Sequence, residues 1–291
     1  MKSSWKIGRV AGIEVQLHFT LLLLLAWVAW SQYLPERNWR AALGGVGFTL
    51  ALLVTVVLHE LGHALTARSF GIRTRDITLL PIGGVAHLER IPEKPRQELL
   101  IALAGPGVNV LLVVLLSVAL WAGAELSAVT TLKWVGGPFL VKLLWVNVSL
   151  AVFNLVPAFP MDGGRVLRAV LAMRMDYVRA TQIAASIGQA FAWVFGILGL
   201  FTNPFLILIL IALFVWMGAA QEAGQVQLKS VLSGLPVSRV LLTEFHTLAP
   251  ADLLGRAIES ILAGGQHDFV TKVPGSRAIS MALLSGSEAG V

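Results

Sequence analysis

The chain has 291 residues, of which 56% are hydrophobic and only 13% charged. A soluble domain carries about 25% charged residues, so this composition excludes an ordinary soluble globule and points to a membrane protein. The formal charge of +6 is dispersed among apolar runs, which argues against a nucleic-acid-binding face, and the absence of cysteine excludes disulfides and thiolate metal sites.

In chain order, residues 1–16 read as a short amphipathic lead-in, with Gly8, Gly12 and the alternation Ile13, Val15, Leu17 allowing a strand. Apolar stretches of roughly 20 residues cross a bilayer as helices. They occupy 17–34, 43–67, 98–122, 138–156, 181–201 and 204–223, so six transmembrane helices are expected. The first is too long and too deep in the chain to read as a removed signal peptide. Between the second and third, Ile77–Leu80 and Val85–Leu88 flank Pro81-Ile82-Gly83-Gly84, the signature of a membrane-associated β-hairpin. After about residue 225 the composition turns polar, with helical spacing from Leu253 to Leu262. The predicted fold class is an α-helical polytopic membrane protein with a small α/β cytoplasmic tail. Its domains are expected at 1–225 and 226–291.

Lys and Arg set the expected orientation. With the N-terminus inside, one side collects Lys2, Lys6, Arg9, Arg68, Arg73, Arg75, Arg90, Lys94, Arg96, Arg165, Arg168, Arg174 and Arg179. The other side holds only Arg37, Arg40 and Lys133. That is the positive-inside pattern, and it places both termini in the cytoplasm, with the cell membrane as the expected location. Trp27, Trp30, Trp39 and Trp121 fall near the outer ends of the spans, where aromatic belts lie.

The chemistry centres on His59-Glu60-Leu61-Gly62-His63 inside the second span. On a helix, His59 and His63 share one face a turn apart and can converge on one ion. Glu60 sits about 100° around the helix, near enough to hold a water beside that ion. Zinc accepts imidazole and carboxylate in a tetrahedron that keeps one position open. A pair of buried, hydrogen-bonded histidines is the alternative, although three ionisable groups within one span demand a reason. The fourth span ends in Asn154-Leu-Val-Pro157-Ala-Phe-Pro160-Met-Asp162-Gly163-Gly164, where two prolines interrupt helix. Unwound backbone at that depth must be buried or face a cavity. Asp162 is therefore a candidate third ligand, with helix capping as its other reading.

Taken together, these residues resemble the site-2 protease family of intramembrane zinc metalloproteases. Leu79 through Val85 is similar to the hairpin after that family's first motif, and Gly105-Pro106-Gly107-Val108-Asn109 is similar to its G-x-x-x-N segment. The resemblance covers about residues 55–165. It implies one zinc ion held by His59, His63 and Asp162, with Glu60 activating the water. It also implies regulated intramembrane proteolysis of a membrane-anchored partner within the lipid bilayer. Asn154 is a candidate hydrogen-bond donor to the peptide or oxyanion, with packing between helices as the equal alternative. Asn109 and Asn147 read as packing residues and His87 as a solvated side chain. His18 is assigned no role. Residues 77–88 offer an edge strand that could hold an unwound substrate by strand addition.

The tail resembles the start of a cystathionine-β-synthase (CBS) domain. Val237-Ser238-Arg239-Val240-Leu241, Glu244 to Leu248 and the helix from Asp252 carry the likeness, and Gly264 to Phe269 leads toward a strand. From Val273 onward it departs. Such modules pair in tandem and bind adenosine nucleotides. A single incomplete copy leaves two readings, pairing across a homodimer or a truncated tail without nucleotide. The main functional expectation is an intramembrane zinc endopeptidase. The rival is a metal-ion transporter with a regulatory tail, distinguished by Glu60, because a transporter needs no base beside its first ligand.

Overall fold

The computed structural model describes residues 4–35, 37–81, 83–90, 92, 94–123, 137–201 and 205–233. In the tail it describes only residues 247–248, 255, 258, 270–271 and 280–281. The chain divides into two compact units, Met1–Ser230 and Val231–Val291.

The first unit is mostly helical. Strands β1 (Ser4–Val10) and β2 (Ile13–His18) form an antiparallel hairpin, and helix α1 (Phe19–Tyr33) starts directly after it. The lead-in therefore folds as strand, and β2 takes Leu17 and His18 from the expected first span. His18 is the N-cap of α1, its ring accepting from the Thr20 amide. Helix α2 (Trp39–Ser69) follows, then β3 (Thr74–Leu80) and β4 (Gly83–Leu88). Helices α3 (Pro95–Ala122), α4 (Phe139–Asn154), α5 (Asp162–Ala172), α6 (Tyr177–Phe201) and α7 (Phe205–Ser233) complete the unit.

Among the described residues, four helices, α2, α3, α6 and α7, are long and apolar enough to cross a membrane. The other two expected spans are apolar but shorter, 15 residues in α1 and 16 in α4. At 1.5 Å per residue these reach only about 22–24 Å, less than a bilayer core of about 30 Å. Large apolar side chains such as Leu23, Trp27, Val54, Leu111, Leu115 and Val118 are exposed along the helices. An outward apolar surface of this extent belongs to a protein whose solvent is lipid.

The four strands form one sheet in the order β1-β2-β3-β4, with β2 and β3 parallel and the other pairs antiparallel. The period-2 alternation puts Ile13 and Val15 of β2 and Ile77 and Leu79 of β3 on one face. That face packs on α2: Ile13 and Ile77 meet Leu61 and Ala64, while Val15 and Leu79 meet Leu53, Val56 and Val57. The expected edge strand is corrected in one respect. Residues 77–80 lie in β3, an inner strand with neighbours on both sides, and the edge belongs to β4. At the far edge, hydrogen bonds from Lys6 and then Arg9 hold the Glu14 carboxyl down at about 2.

The tail contributes three two-residue strands in the order β5-β6-β7, Thr247–Leu248, Val270–Thr271 and Ser280–Met281. Of the expected helix from Leu253 to Leu262 only Gly255 and Ile258 are described, both helical, and most of the CBS-like stretch lies outside the described residues.

Candidate metal centre

Helix α2 lies between the sheet and the other helices, and its periodicity sorts its side chains accordingly. Leu61 and Ala64 face the sheet. His59 and His63, one turn apart, are both buried and turn toward α3 and α5. Asp162 meets them in the first turn of α5. Its approach is set by the irregular segment 155–161 after α4, where the Phe159–Pro160 peptide is cis. Met161, not Asp162, is the N-cap of α5, and no side-chain hydrogen bond closes that cap. The capping reading of Asp162 is thereby overturned, because its carboxylate is turned to the histidines instead.

The three donor atoms form a nearly equilateral triangle. Asp162 Oδ2 lies 3.2 Å from His59 Nε2 and 3.1 Å from His63 Nε2, and the two Nε2 atoms are 3.1 Å apart. A tetrahedral zinc with ligands at about 2.0–2.1 Å has ligand–ligand edges of about 3.3 Å, so the triangle matches one face of that tetrahedron.

The hydrogen bonds on the far sides of the rings show why an ion belongs there. His63 Nδ1 lies 2.6 Å from the Ile101 carbonyl, which only accepts, so Nδ1 carries the proton. His59 Nδ1 lies 2.5 Å from Asn109 Oδ1, again an acceptor. In the neutral rings both Nε2 atoms are then bare lone pairs aimed at a carboxylate oxygen. Three converging lone pairs repel one another unless a cation or proton sits among them. This donor set fits zinc.

Two glycines let backbone come close. A Cβ on Gly105 of α3 would stand 2.1 Å from His63 Nε2 and 2.7 Å from His59 Nε2. A Cβ on Gly84 of β4 would stand 2.6 Å from Glu60 Cγ. Glu60 thus lies under the backbone of the edge strand, on the helix that carries both histidines.

Of the residues singled out in the sequence, His59, His63 and Asp162 come together across 103 and 99 positions. Asn154 is the last residue of α4 and half-buried. The cluster's hydrogen bonds run to Asn109 and Ile101 instead of to Asn154. Asn109 and Asn147 do pack between helices, both fully buried, but Asn109 also orients His59. The sequence signal for that role was slight: a polar residue on the next span, four positions past Gly105. His87 is half-exposed on β4 and pairs with Asp76, 2.9 Å away.

Comparison with known proteins agrees with this geometry. The chain matches peptidase family M50 over residues 47–134 and 122–195. It is 37% identical over 242 residues to a zinc metalloprotease of Methanocaldococcus jannaschii, covering 83% of this chain and 67% of the relative. It is 30% identical over 156 residues to stage IV sporulation protein FB of Bacillus subtilis, covering 53% of this chain and 51% of the relative. The solved site-2 protease from Methanocaldococcus jannaschii superposes with a TM-score of 0.54 at 34% identity, over 84% of this chain and 99% of that one. The chain thus spans about two thirds and about half of the length of these two curated relatives. Fold and donor set together define a membrane-embedded zinc metalloprotease. The chain belongs to peptidase family M50, the site-2 protease family.

Proposed function

We propose that this protein is an intramembrane zinc endopeptidase that cuts a peptide bond within or near the transmembrane segment of a membrane-anchored protein. The observation that carries the reading is the convergence of His59, His63 and Asp162 on α2 and α5 with Glu60 beside them. His59 lies ten residues from the end of α2 at Ser69, so about 15 Å of helix separates the site from that end. A site at such depth fits a substrate that is itself in the bilayer. Family membership favours this reading over metal transport.

Zinc, when bound, polarises the scissile carbonyl and makes water acidic enough to be deprotonated near neutral pH. The chain's residues do the rest. His59 and His63 present Nε2, and Asp162 presents Oδ2. The Glu60 carboxylate takes the proton from the attacking water and returns it to the leaving amine nitrogen. Asn154 is a candidate donor to the peptide, from the break after α4. A helical substrate hides its carbonyls, so the segment must unwind. The edge of β4 offers it a strand to pair with, and that strand passes over Glu60 at Gly84.

Both termini are assigned to the cytoplasm by the distribution of Lys and Arg. The Arg68 guanidinium donates to the Ala11 carbonyl, so the end of α2 and the N-terminal hairpin share one end of the unit. Cleavage near that end releases the cytoplasmic portion of the substrate, which is the output of regulated intramembrane proteolysis. We also assign residues 226–291 to a partial CBS-like domain, whose missing half is supplied by a second copy if it takes an adenosine nucleotide.

The test uses purified protein in liposomes with a panel of single-span proteins. Wild type cleaves one of them, and Glu60→Gln keeps its zinc but loses roughly a hundred- to ten-thousand-fold in turnover. Zinc flux across the bilayer that is unaffected by Glu60→Gln, with no cleavage by wild type, would sink the protease reading.

A further inference from the structure

A second buried charge cluster lies on α5 itself, six residues beyond Asp162. At 1.5 Å and 100° per residue, Arg168 stands about 9 Å along the axis from Asp162 and about 120° around it. Its guanidinium ties three helices together. Nε donates to Glu98 Oε1 on α3 at 2.7 Å, and Nη2 donates to the same oxygen. Nη1 donates to Glu222 Oε1 on α7 at 2.6 Å. The rings of Phe159 and Tyr177 flank it with centroids 5.0 and 5.1 Å from Cζ. Phe159 belongs to the irregular segment before α5, and Tyr177 opens α6.

The Arg168 and Glu98 side chains are only 3% and 4% exposed. An apolar residue of the same volume is often at least as stabilising at such a position, so stability alone is a weak reason for the charge. What an arginine supplies is direction, because its planar fork holds partners at fixed angles. Here the partner is informative. Glu98 lies three residues before Ile101, the carbonyl that orients His63, and on the helix that carries Asn109, which orients His59. Helix α3 is thus the common frame for all three donors. It aims the two imidazoles directly and grips α5 through Glu98 and Arg168.

We propose that Arg168 is a positioning residue for the metal centre: its ion pairs to Glu98 and Glu222 set the rotation and register of α5, and so hold Asp162 against His59 and His63. The inference rests on the metal-site reading above. The first turn of α5 is seated by close packing of Gly163 and Gly164 on the 155–159 backbone; the Arg168 pairs add a directional anchor about 9 Å further along and on another face. Functional donor sets tolerate only about 0.5 Å of misplacement, which gives the second anchor its purpose.

The experiment measures zinc affinity of the full chain in detergent, by competition with a chromophoric chelator, beside thermal unfolding by circular dichroism. Glu222→Gln is the lead variant, because the Glu222 side chain is 25% exposed and its replacement leaves the Glu98 pair in place. It is expected to fold and to bind zinc roughly tenfold more weakly. Arg168→Lys keeps the charge but lacks the fork and is weakened at least as much, whereas Glu222→Asp, which keeps the carboxylate, stays near wild type. A folded Glu222→Gln with wild-type zinc affinity overturns the proposal, even if its unfolding temperature falls, since a purely structural role moves only the latter. Absence of zinc binding by wild type overturns the metal-site reading itself and this inference with it.

Discussion

His59 donates its Nδ1 proton to Asn109, and Asn109 is in turn held by Asn147. Asn147 Nδ2 donates to the Leu143 carbonyl, which turns its Oδ1 toward Asn109 Nδ2 at 2.9 Å. The second amide is thereby turned so that its oxygen faces His59. A residue on α4 thus helps decide which nitrogen of a residue on α2 is left bare. Outer partners of this kind change metal affinity by 10–100-fold. Asn109→Leu, close in shape but without the acceptor, is expected to weaken zinc binding by roughly that range, and Asn147→Leu by less. Chelator competition checks both, and unchanged affinity in Asn109→Leu would remove Asn109 from the site. Gly105→Ala should be harsher, since its methyl group would occupy the space of His63 Nε2. That variant is expected to purify without stoichiometric zinc, as metal analysis would reveal. The two histidines were legible from their four-residue spacing, and the asparagines as packing residues between helices; the turn of Asn109 toward His59 was not, because spacing along α3 gives no sign of which helix its amide faces.

At the scale of elements, the hairpin was visible as two apolar runs around a glycine turn. Its place in the sheet was not. Parallel pairing of β2 with β3 joins segments about 60 residues apart and turns Ile77–Leu80 into an interior strand. The edge on this side, β4, passes so close to Glu60 that a Cβ at position 84 would stand 2.6 Å from Glu60 Cγ, so any side chain there makes Glu60 move. Gly84→Val is expected to keep zinc bound while displacing the Glu60 carboxylate. A misplacement of about 1 Å at a reacting group reduces turnover roughly a hundredfold. The measurement is peptidase turnover alongside metal content; full activity in this variant would separate β4 from the reaction. The break after α4 was likewise legible, because two prolines three apart cannot sit inside a regular helix. Its consequence, an aspartate projecting from the first turn of α5, needed the packing of that turn against the 155–159 backbone.

For the molecule as a whole, the helices owe their contacts to apolar packing and to buried pairs such as Arg168 with Glu98. The metal centre occupies one point in that scaffold. Removing zinc with a chelator is therefore expected to abolish cleavage while leaving far-ultraviolet circular dichroism of the detergent-solubilised protein nearly unchanged. Added zinc should restore activity. Loss of helical signal on chelation would show instead that the ion holds the bundle together.

The sequence by itself determined the membrane class, the HExxH segment with Glu60 beside its first histidine, and the interrupted helix before Asp162. Each of these follows from composition or from short-range periodicity, which the backbone enforces locally. Tertiary structure brought Asp162, the third donor the sequence had already offered, to the two imidazoles. It alone decided that Asn109 turns an acceptor to His59 with Asn147 behind it, that β4 and not β3 lies at the sheet edge, and that Arg168 joins the Asp162-bearing helix to α3 and α7. These are choices of partner between distant segments. They depend on which faces of packed helices and strands come to touch, and no local spacing encodes that.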